Sequence, residues 1–242
     1  MTEPLLQVSD LVGGYRPDLP ILNGFSIDVS PGEVVTIVGP NGAGKSTLIK
    51  AVAGLLNVTG GSVVFEGTTI TNIAPHALVT AGIGYVPQTD NVFTSLTIHE
   101  NLRVGAYTIK GDASSNYERI YTLFPALAER RGAKAGVLSG GQRQMLAAGR
   151  ALLTGPRMIM LDEPTAGLAP KLVSGVLEMV RTLADDGVAV LMVEQNVKAA
   201  LAMSDRGYVL AEGREQLSGP AADILSNPDL GAIFLGDKRR AD

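Results

Sequence analysis

The segment Gly39-Pro-Asn-Gly-Ala-Gly44-Lys45-Ser46 constrains this chain more than any other, because a run of that kind works in only one structural setting. It fits G-x-x-x-x-G-K-[ST], in which Gly42 and Gly44 let the backbone come close and bare N–H groups surround phosphate oxygens. Pro40, Asn41 and Ala43 fill the intervening positions, and Thr47 follows. Lys45 would reach the β- and γ-phosphates, and the Ser46 hydroxyl would ligate Mg²⁺. The flanks suit that role. Glu33-Val-Val-Thr-Ile-Val38 is a short β-branched run suited to a buried strand, and Thr47-Leu-Ile-Lys-Ala-Val-Ala53 has helical spacing. A strand feeding a glycine-rich turn and then a helix N-terminus is the geometry that anion binding needs. Alone, the segment indicates that a nucleoside triphosphate is bound and leaves open how it is used.

A second segment, Leu138-Ser139-Gly140-Gly141-Gln142, precedes the apolar-periodic stretch 145–153. A hydroxyl and bare amides again sit at a helix start, a second end able to hold an anion. One γ-phosphate does not need two such ends from one chain. Taken with the phosphate loop, the pentapeptide resembles the signature of the ATP-binding cassette of ABC transporters, and the resemblance covers nearly the whole chain. In that family the signature faces the ATP held by a partner subunit, so that two chains sandwich two nucleotides. The resemblance therefore implies that Ser139, Gly140, Gly141 and Gln142 contact ATP across an interface.

At 242 residues and 45% hydrophobic content the chain can bury a sizeable core; it is long for one domain without being clearly two. No apolar run approaches the roughly 18 residues of a membrane helix. The first residues, Met-Thr-Glu-Pro, have neither the basic nor the apolar region of a secretory signal. Cysteine is absent, which excludes disulfides and thiolate metal sites and fits a reducing compartment. A net charge of −4 argues against a surface that coats nucleic acid, and Lys238-Arg239-Arg240 reads as a solvated tail. The expectation is a soluble, cytosolic-type globular protein.

Along the chain, extended segments are expected at 5–8, 21–29, 60–67, 83–86, 158–161, 188–193, 208–210 and 215–217. Helices are expected at 75–80, 98–107, 117–124, 126–131, 171–184 and 197–203, with a terminal helical segment. Alternating strands and helices imply an α/β fold with a parallel core sheet, and the early strands imply an antiparallel sheet beside it. The strand-poor block 97–136 implies a helical insert. The organisation expected is a P-loop NTPase core of ABC ATPase type formed by 1–88 and 137–242, carrying an antiparallel β subdomain and a helical subdomain at about 89–136.

Met158-Ile-Met-Leu-Asp162-Glu163 is an apolar strand ending in two carboxylates, and ligands gather at the C-terminal ends of parallel strands. Asp162 matches the Mg²⁺-organising acid of P-loop NTPases. By resemblance, Glu163 is the general base that polarises the attacking water. Gln88 stands at the family's Q-loop, where its amide can ligate Mg²⁺ or hold the water. Tyr15 resembles the aromatic that stacks on adenine, a contact tolerant of base identity. Two positions depart from the family pattern. Ala169 stands where an Asp usually contacts the partner's P-loop. Gln195 stands at the switch position normally held by histidine, and the only histidines, His76 and His99, precede the signature. Gln195 can donate a hydrogen bond to the γ-phosphate but cannot carry an imidazolium's charge.

Val193-Glu-Gln-Asn196, Gly167-Leu-Ala-Pro170, Leu123-Phe-Pro-Ala-Leu-Ala-Glu-Arg-Arg131 and Ile233-Phe-Leu-Gly236 resemble the shorter ATPase subunit of branched-chain (hydrophobic) amino acid importers. Many members of that group have Glu at the Q-loop, whereas this chain has Gln88. The resemblance implies ATP and Mg²⁺ as cofactors and a second ABC ATPase as mate, a different chain or a copy of this one. It also implies two transmembrane permease subunits, a secreted solute-binding protein and a place on the cytoplasmic face of the membrane. Asp90, Asn91 and Phe93 would lie near the groove that receives the permeases' coupling helices. A related urea or amide importer would look almost the same. A soluble ABC ATPase acting on DNA or ribosomes fits less well, since 242 residues hold neither a coiled-coil insertion nor two cassettes. A weakly hydrolysing regulatory subunit is permitted by Ala169 and Gln195 and opposed by Lys45, Asp162 and Glu163.

Overall fold

The computed structural model describes residues 3–16 and 18–235; Lys238-Arg239-Arg240 and Gly236 lie outside them. Strands β1 (Leu6–Gly14) and β2 (Leu22–Val29) lead to β3 (Val34–Val38), all five of whose residues are buried. Helix α1 (Lys45–Val52) starts at the end of the glycine-rich loop. Next come β4 (Asn57–Phe65), β5 (Thr68–Thr69), α2 (Pro75–Thr80) and β6 (Ile83–Val86). A helical stretch follows: α3 (Ile98–Gly105), α4 (Ser114–Leu123), α5 (Pro125–Ala128) and α6 (Gly140–Leu152). The chain then alternates through β7 (Met158–Asp162), α7 (Pro170–Asp185), β8 (Ala189–Val193) and α8 (Val197–Ala202). It ends with β9 (Arg206–Ala211), β10 (Arg214–Pro220), α9 (Ala221–Ser226) and α10 (Asp229–Leu235).

The strands form two sheets. An antiparallel sheet runs in the order β2-β1-β4-β5, and a six-stranded sheet runs β10-β9-β3-β8-β7-β6. In the second, every neighbouring pair is parallel except β9 and β10. The central strands are buried on both faces, as their unbroken apolar sequences require. One core lies between the two sheets and packs on α1; another lies between the six-stranded sheet and α3, α4, α6 and α7. Each fully buried Leu, Ile or Val in them contributes about 1.5–3 kcal/mol.

The expected fold class stands, and several boundaries move for local reasons. The strand expected at 60–67 begins at Asn57 and runs straight through its two glycines. Gly61 has φ 79, and a Cβ there would meet the Ser9 carbonyl oxygen at 2.3 Å, opposite a bulge in β1 at Asp10 (φ 49). That bulge also breaks the alternation of β1, which made it look shorter than it is. Helix α3 stops at Gly105, whose missing side chain lets its backbone lie against the Arg150 carbonyl, 2.7 Å from where a Cβ would be. Helix α4 starts earlier than expected, at Ser114, with Asp112 accepting from the Ser114 amide and hydroxyl. It ends before Pro125, because the residue preceding a proline is disfavoured in the helical region.

Candidate nucleotide site

Parallel pairing of β3, β8, β7 and β6 brings four C-terminal strand ends to one edge. Each delivers part of the site. β3 enters the loop 39–44, β6 is followed by Pro87-Gln88, β7 ends in Asp162 and passes to Glu163, and β8 is followed by Glu194-Gln195.

In the loop, Gly39 passes so close to Leu210 that a Cβ would lie 2.0 Å from its carbonyl oxygen. Gly44 caps α1 at φ 104. The amides of Gly42, Gly44, Lys45 and Ser46 have no backbone acceptor among the described residues. They form a cradle of free donors at a helix N-terminus, suited to phosphate oxygens. Lys45 is buried and its Nζ donates to the carbonyls of Gly39 (2.8 Å) and Pro40 (3.1 Å). Burial pushes its pKa down, against the charges of Glu163, Asp162 and Glu194. Ala43 and Thr47 are buried beside it, whereas Asn41 and Gly42 are exposed.

Ser46 Oγ donates to Asp162 Oδ1 at 3.0 Å. Asp162 is buried, and desolvation raises its pKa against the Ser46 bond and the Lys50 charge. The buried Tyr85 hydroxyl faces Asp162 without a partner at full hydrogen-bonding geometry, and its own pKa is raised by burial. A carboxylate, a serine hydroxyl and a phenol without a partner bring three oxygen donors together beside the phosphate loop. That donor set fits Mg²⁺, which takes one or two carboxylates and completes its shell with water and phosphate.

Glu163 stands in the left-handed region at φ 49 and is buried; its amide donates to the Val193 carbonyl at 3.0 Å. Its Oε2 accepts from both Gln88 Nε2 (2.6 Å) and Gln195 Nε2 (2.7 Å). Three strand ends therefore converge on one oxygen. Oε1 accepts nothing among the described residues. Gln88 is bonded to Glu163 rather than to Ser46 or Asp162, leaving its carbonyl oxygen without a donor among the described residues.

The remaining sequence candidates stand apart. Ser139 is the N-cap of α6 in a reciprocal box: its hydroxyl accepts from the Gln142 amide (3.3 Å) and Gln142 Oε1 accepts from the Ser139 amide (3.1 Å). Gln142 thus has a local task that the sequence reading did not foresee. None of residues 139–142 bonds to the phosphate loop of its own chain among the described residues. Gly140 lies against Leu168 of the loop after Glu163. Tyr15 is 60% exposed, with its hydroxyl 3.4 Å from Lys50 Nζ. Asp90 and Asn91 line a cavity of about 240 Å³ with Tyr85, Val104, Tyr107 and Arg150. Phe93 is half-exposed beneath the Arg150 guanidinium rather than in that lining.

One buried acid escaped the sequence reading. Glu194 is 1% exposed, and its two oxygens accept from the amides of Thr165 (2.9 Å) and Gln195 (3.1 Å). The available signal was a charged residue directly after a fully apolar strand, a place where an unpaired acid is rarely buried.

A phosphate cradle, two acids at the adjoining strand end and a helix capped by the exposed Ser139 of LSGGQ define an ATP-hydrolysing cassette. Residues 22–166 match the ABC transporter family, and the chain belongs to it. It is 40% identical over 228 residues to the high-affinity branched-chain amino acid transport ATP-binding protein BraG of Pseudomonas aeruginosa, covering 94% of this chain and 98% of that one. It is 41% identical over 234 residues to the probable branched-chain amino acid transport ATP-binding protein LivF of Archaeoglobus fulgidus, covering 96% and 99%. The lipopolysaccharide export ATP-binding protein LptB of Escherichia coli is 32% identical over 224 residues, covering 91% and 92%. Among solved structures, the ADP conformation of an ATP-binding cassette of an ABC transporter superposes with a TM-score of 0.87 at 33% identity, covering 98% of this chain and all of that one.

Proposed function

We propose that this chain is the ATPase subunit of an importer, coupling ATP hydrolysis to uptake of branched-chain or other hydrophobic amino acids. The observation that carries the hydrolytic part is the convergence of Gln88 and Gln195 on a single oxygen of Glu163. In this reading Lys45 and the free amides of the loop hold the β- and γ-phosphates. Ser46, Asp162 and the Gln88 carbonyl hold Mg²⁺, which neutralises charge on the phosphates when bound. Glu163 takes the proton of the attacking water, and Gln195 orients that carboxylate and donates to the γ-phosphate. Tyr15 stacks on the adenine. Ser139 to Gln142 act on the nucleotide of a second ATPase subunit, a different chain or a copy, and 89–136 works as a helical subdomain.

No helix among the described residues is long and apolar enough to cross a membrane. In this reading two transmembrane permease subunits form the path for the solute. Coupling helices of those subunits would be received near Asp90, Asn91 and Phe93, placing this chain on the cytoplasmic face with a secreted solute-binding protein outside. Nucleic acid has no part in this reading. The substrate class rests on likeness to BraG and LivF along nearly the full chain. The lower identity to LptB supports export less well, and a urea or amide importer is the nearer alternative. Uptake of labelled leucine, isoleucine and valine after deletion of the gene tests it. Uptake should fall and return with the wild-type gene but not with Glu163→Gln. Undiminished uptake together with failed lipopolysaccharide export would replace the reading.

A further inference from the structure

Glu194 has no part in the chemistry just described, yet it is almost completely buried beside the site. It is buried among the ends of β3, β7 and β8, with no ion pair among the described residues. Burial pushes its pKa up, opposed by the Thr165 hydroxyl and amide and by the amides of Gln195 and Asn196. With no direct ion pair, and only the Lys45 charge in the neighbourhood, an acid in such a place depends on donors aimed at it, and removal of either donor is expensive. Both of its oxygens are used, and they are used on two different loops. Oε1 holds the Thr165 amide, in the loop that runs from Glu163 to Ala169; Oε2 holds the Gln195 amide, whose side chain is bonded to Glu163.

The Glu194 backbone is itself anchored, its amide donating to the Ile37 carbonyl of β3 at 3.0 Å. The loop it grips is otherwise free on one side. An open cavity of about 690 Å³ borders it, lined by Leu168, Val173, Leu177, Ala199 and Met203 together with Glu194 itself. Ala169 and the neighbouring Pro170 are exposed and offer that loop no charged anchor of its own. The same loop covers Gly140, so it also touches the start of the signature helix.

We infer that Glu194 is a positioning residue for ATP hydrolysis, clamping the 165–169 loop to the backbone of Gln195 so that a shift of that loop moves the Gln195 amide on Glu163. The inference rests on the reading of Glu163 and Gln195 as the hydrolytic pair. It assigns Glu194 no contact with nucleotide.

The substitution Glu194→Gln keeps shape and volume but places an NH₂ where one oxygen was, donor against donor, so one of the two bonds is lost. In the transporter purified with its own subunits, ATP affinity should stay within about threefold of wild type while kcat falls about tenfold to a hundredfold. Added to Gln195→Ala, the same change should lower kcat by less than about threefold more, because its effect passes through Gln195. Unchanged kcat in Glu194→Gln, or a full multiplicative loss in the Gln195→Ala background, overturns the inference. Glu163→Gln run alongside separates the two levels: if it turns over like wild type, the hydrolytic reading fails; if it is inactive while Glu194→Gln is normal, only the clamp fails. Should Glu194→Gln not fold, amide hydrogen exchange on the unaltered chain decides. The Thr165 and Gln195 amides should share one slow exchange rate, and free exchange of either overturns the clamp.

Discussion

Replacing Glu163 by Gln separates the proton-accepting role of the carboxylate from its place in the structure. Only Oε2 is engaged, accepting the Gln88 and Gln195 amides at 2.6 and 2.7 Å. A glutamine carbonyl in that position accepts the same two bonds, and its NH₂ falls where Oε1 was, a site with no donor to clash among the described residues. The left-handed backbone at φ 49 is common to both residues. What is lost structurally is charge assistance. Two bonds of about 1.5–3 kcal/mol to a charged acceptor become two of about 0.5–1.5 kcal/mol, a loss of about 2–3 kcal/mol before the relief of burying one charge fewer. Since 1 kcal/mol moves the melting point of a chain this size by about 2–4 °C, Tm should fall by less than about 10 °C. The chemical step loses its base, which removes about 10²–10⁴-fold in turnover. ATP affinity should hold or improve, because a negative charge leaves the neighbourhood of the phosphates and of Lys45. Phosphate release at saturating Mg²⁺–ATP and equilibrium binding of labelled ATP measure the two effects. Lys45→Ala is the contrast, losing binding itself. Turnover within fivefold of wild type, or loss of ATP binding together with turnover, would refute the assignment of Glu163 as base.

Gln195→His should keep turnover similar or raise it while giving kcat a pH dependence that wild type lacks. The neighbouring carboxylate raises an imidazole's pKa, so the inflection should lie above about 6.5, and a flat profile between pH 6 and 8 speaks against contact with Glu163. The hydrolysis-blocked Glu163→Gln chain should sediment as a pair only with Mg²⁺–ATP, alone or with its mate, since Ser139 to Gln142 do not reach their own phosphate loop; strong ATPase activity from a strictly monomeric chain contradicts this.

The parts of the site that depend on short-range chemistry were legible in the sequence. The phosphate loop needs its glycines and its lysine at fixed spacing, and the acids of β7 follow an apolar run too regular to misread. Long-range geometry was less so. Nothing in the spacing of Gln88, Glu163 and Gln195 states that two amides share one oxygen; that follows from β6, β7 and β8 lying side by side. Glu194 was read only as part of a resemblance, because its partner Thr165 lies on another strand's loop. The boundaries that moved, at Asn57, Gly105 and Ser114, depend on a cross-strand bulge, a helix contact and a local turn. The first two involve residues distant in sequence. Only the Asp112 contact with Ser114 is near enough to be read locally.

The close approach of Gly105 to the Arg150 backbone has a mechanical consequence. With Gly149 also pressed against Ile120, Leu102 and Phe124, helix α6 is wedged into α3 and α4 with no room for sliding. Asn91, just past Gln88, holds the same helix through Gln144 (3.0 Å) and the Arg150 guanidinium (2.8 Å). Thirteen residues make α6 a rod about 20 Å long. Pivoted about its Leu152 end, a tilt of about 10° sweeps Ser139 through about 3 Å, the difference between a hydrogen bond and an empty gap. A small displacement near Gln88 that tilted this helix would be amplified at the far tip of the rod.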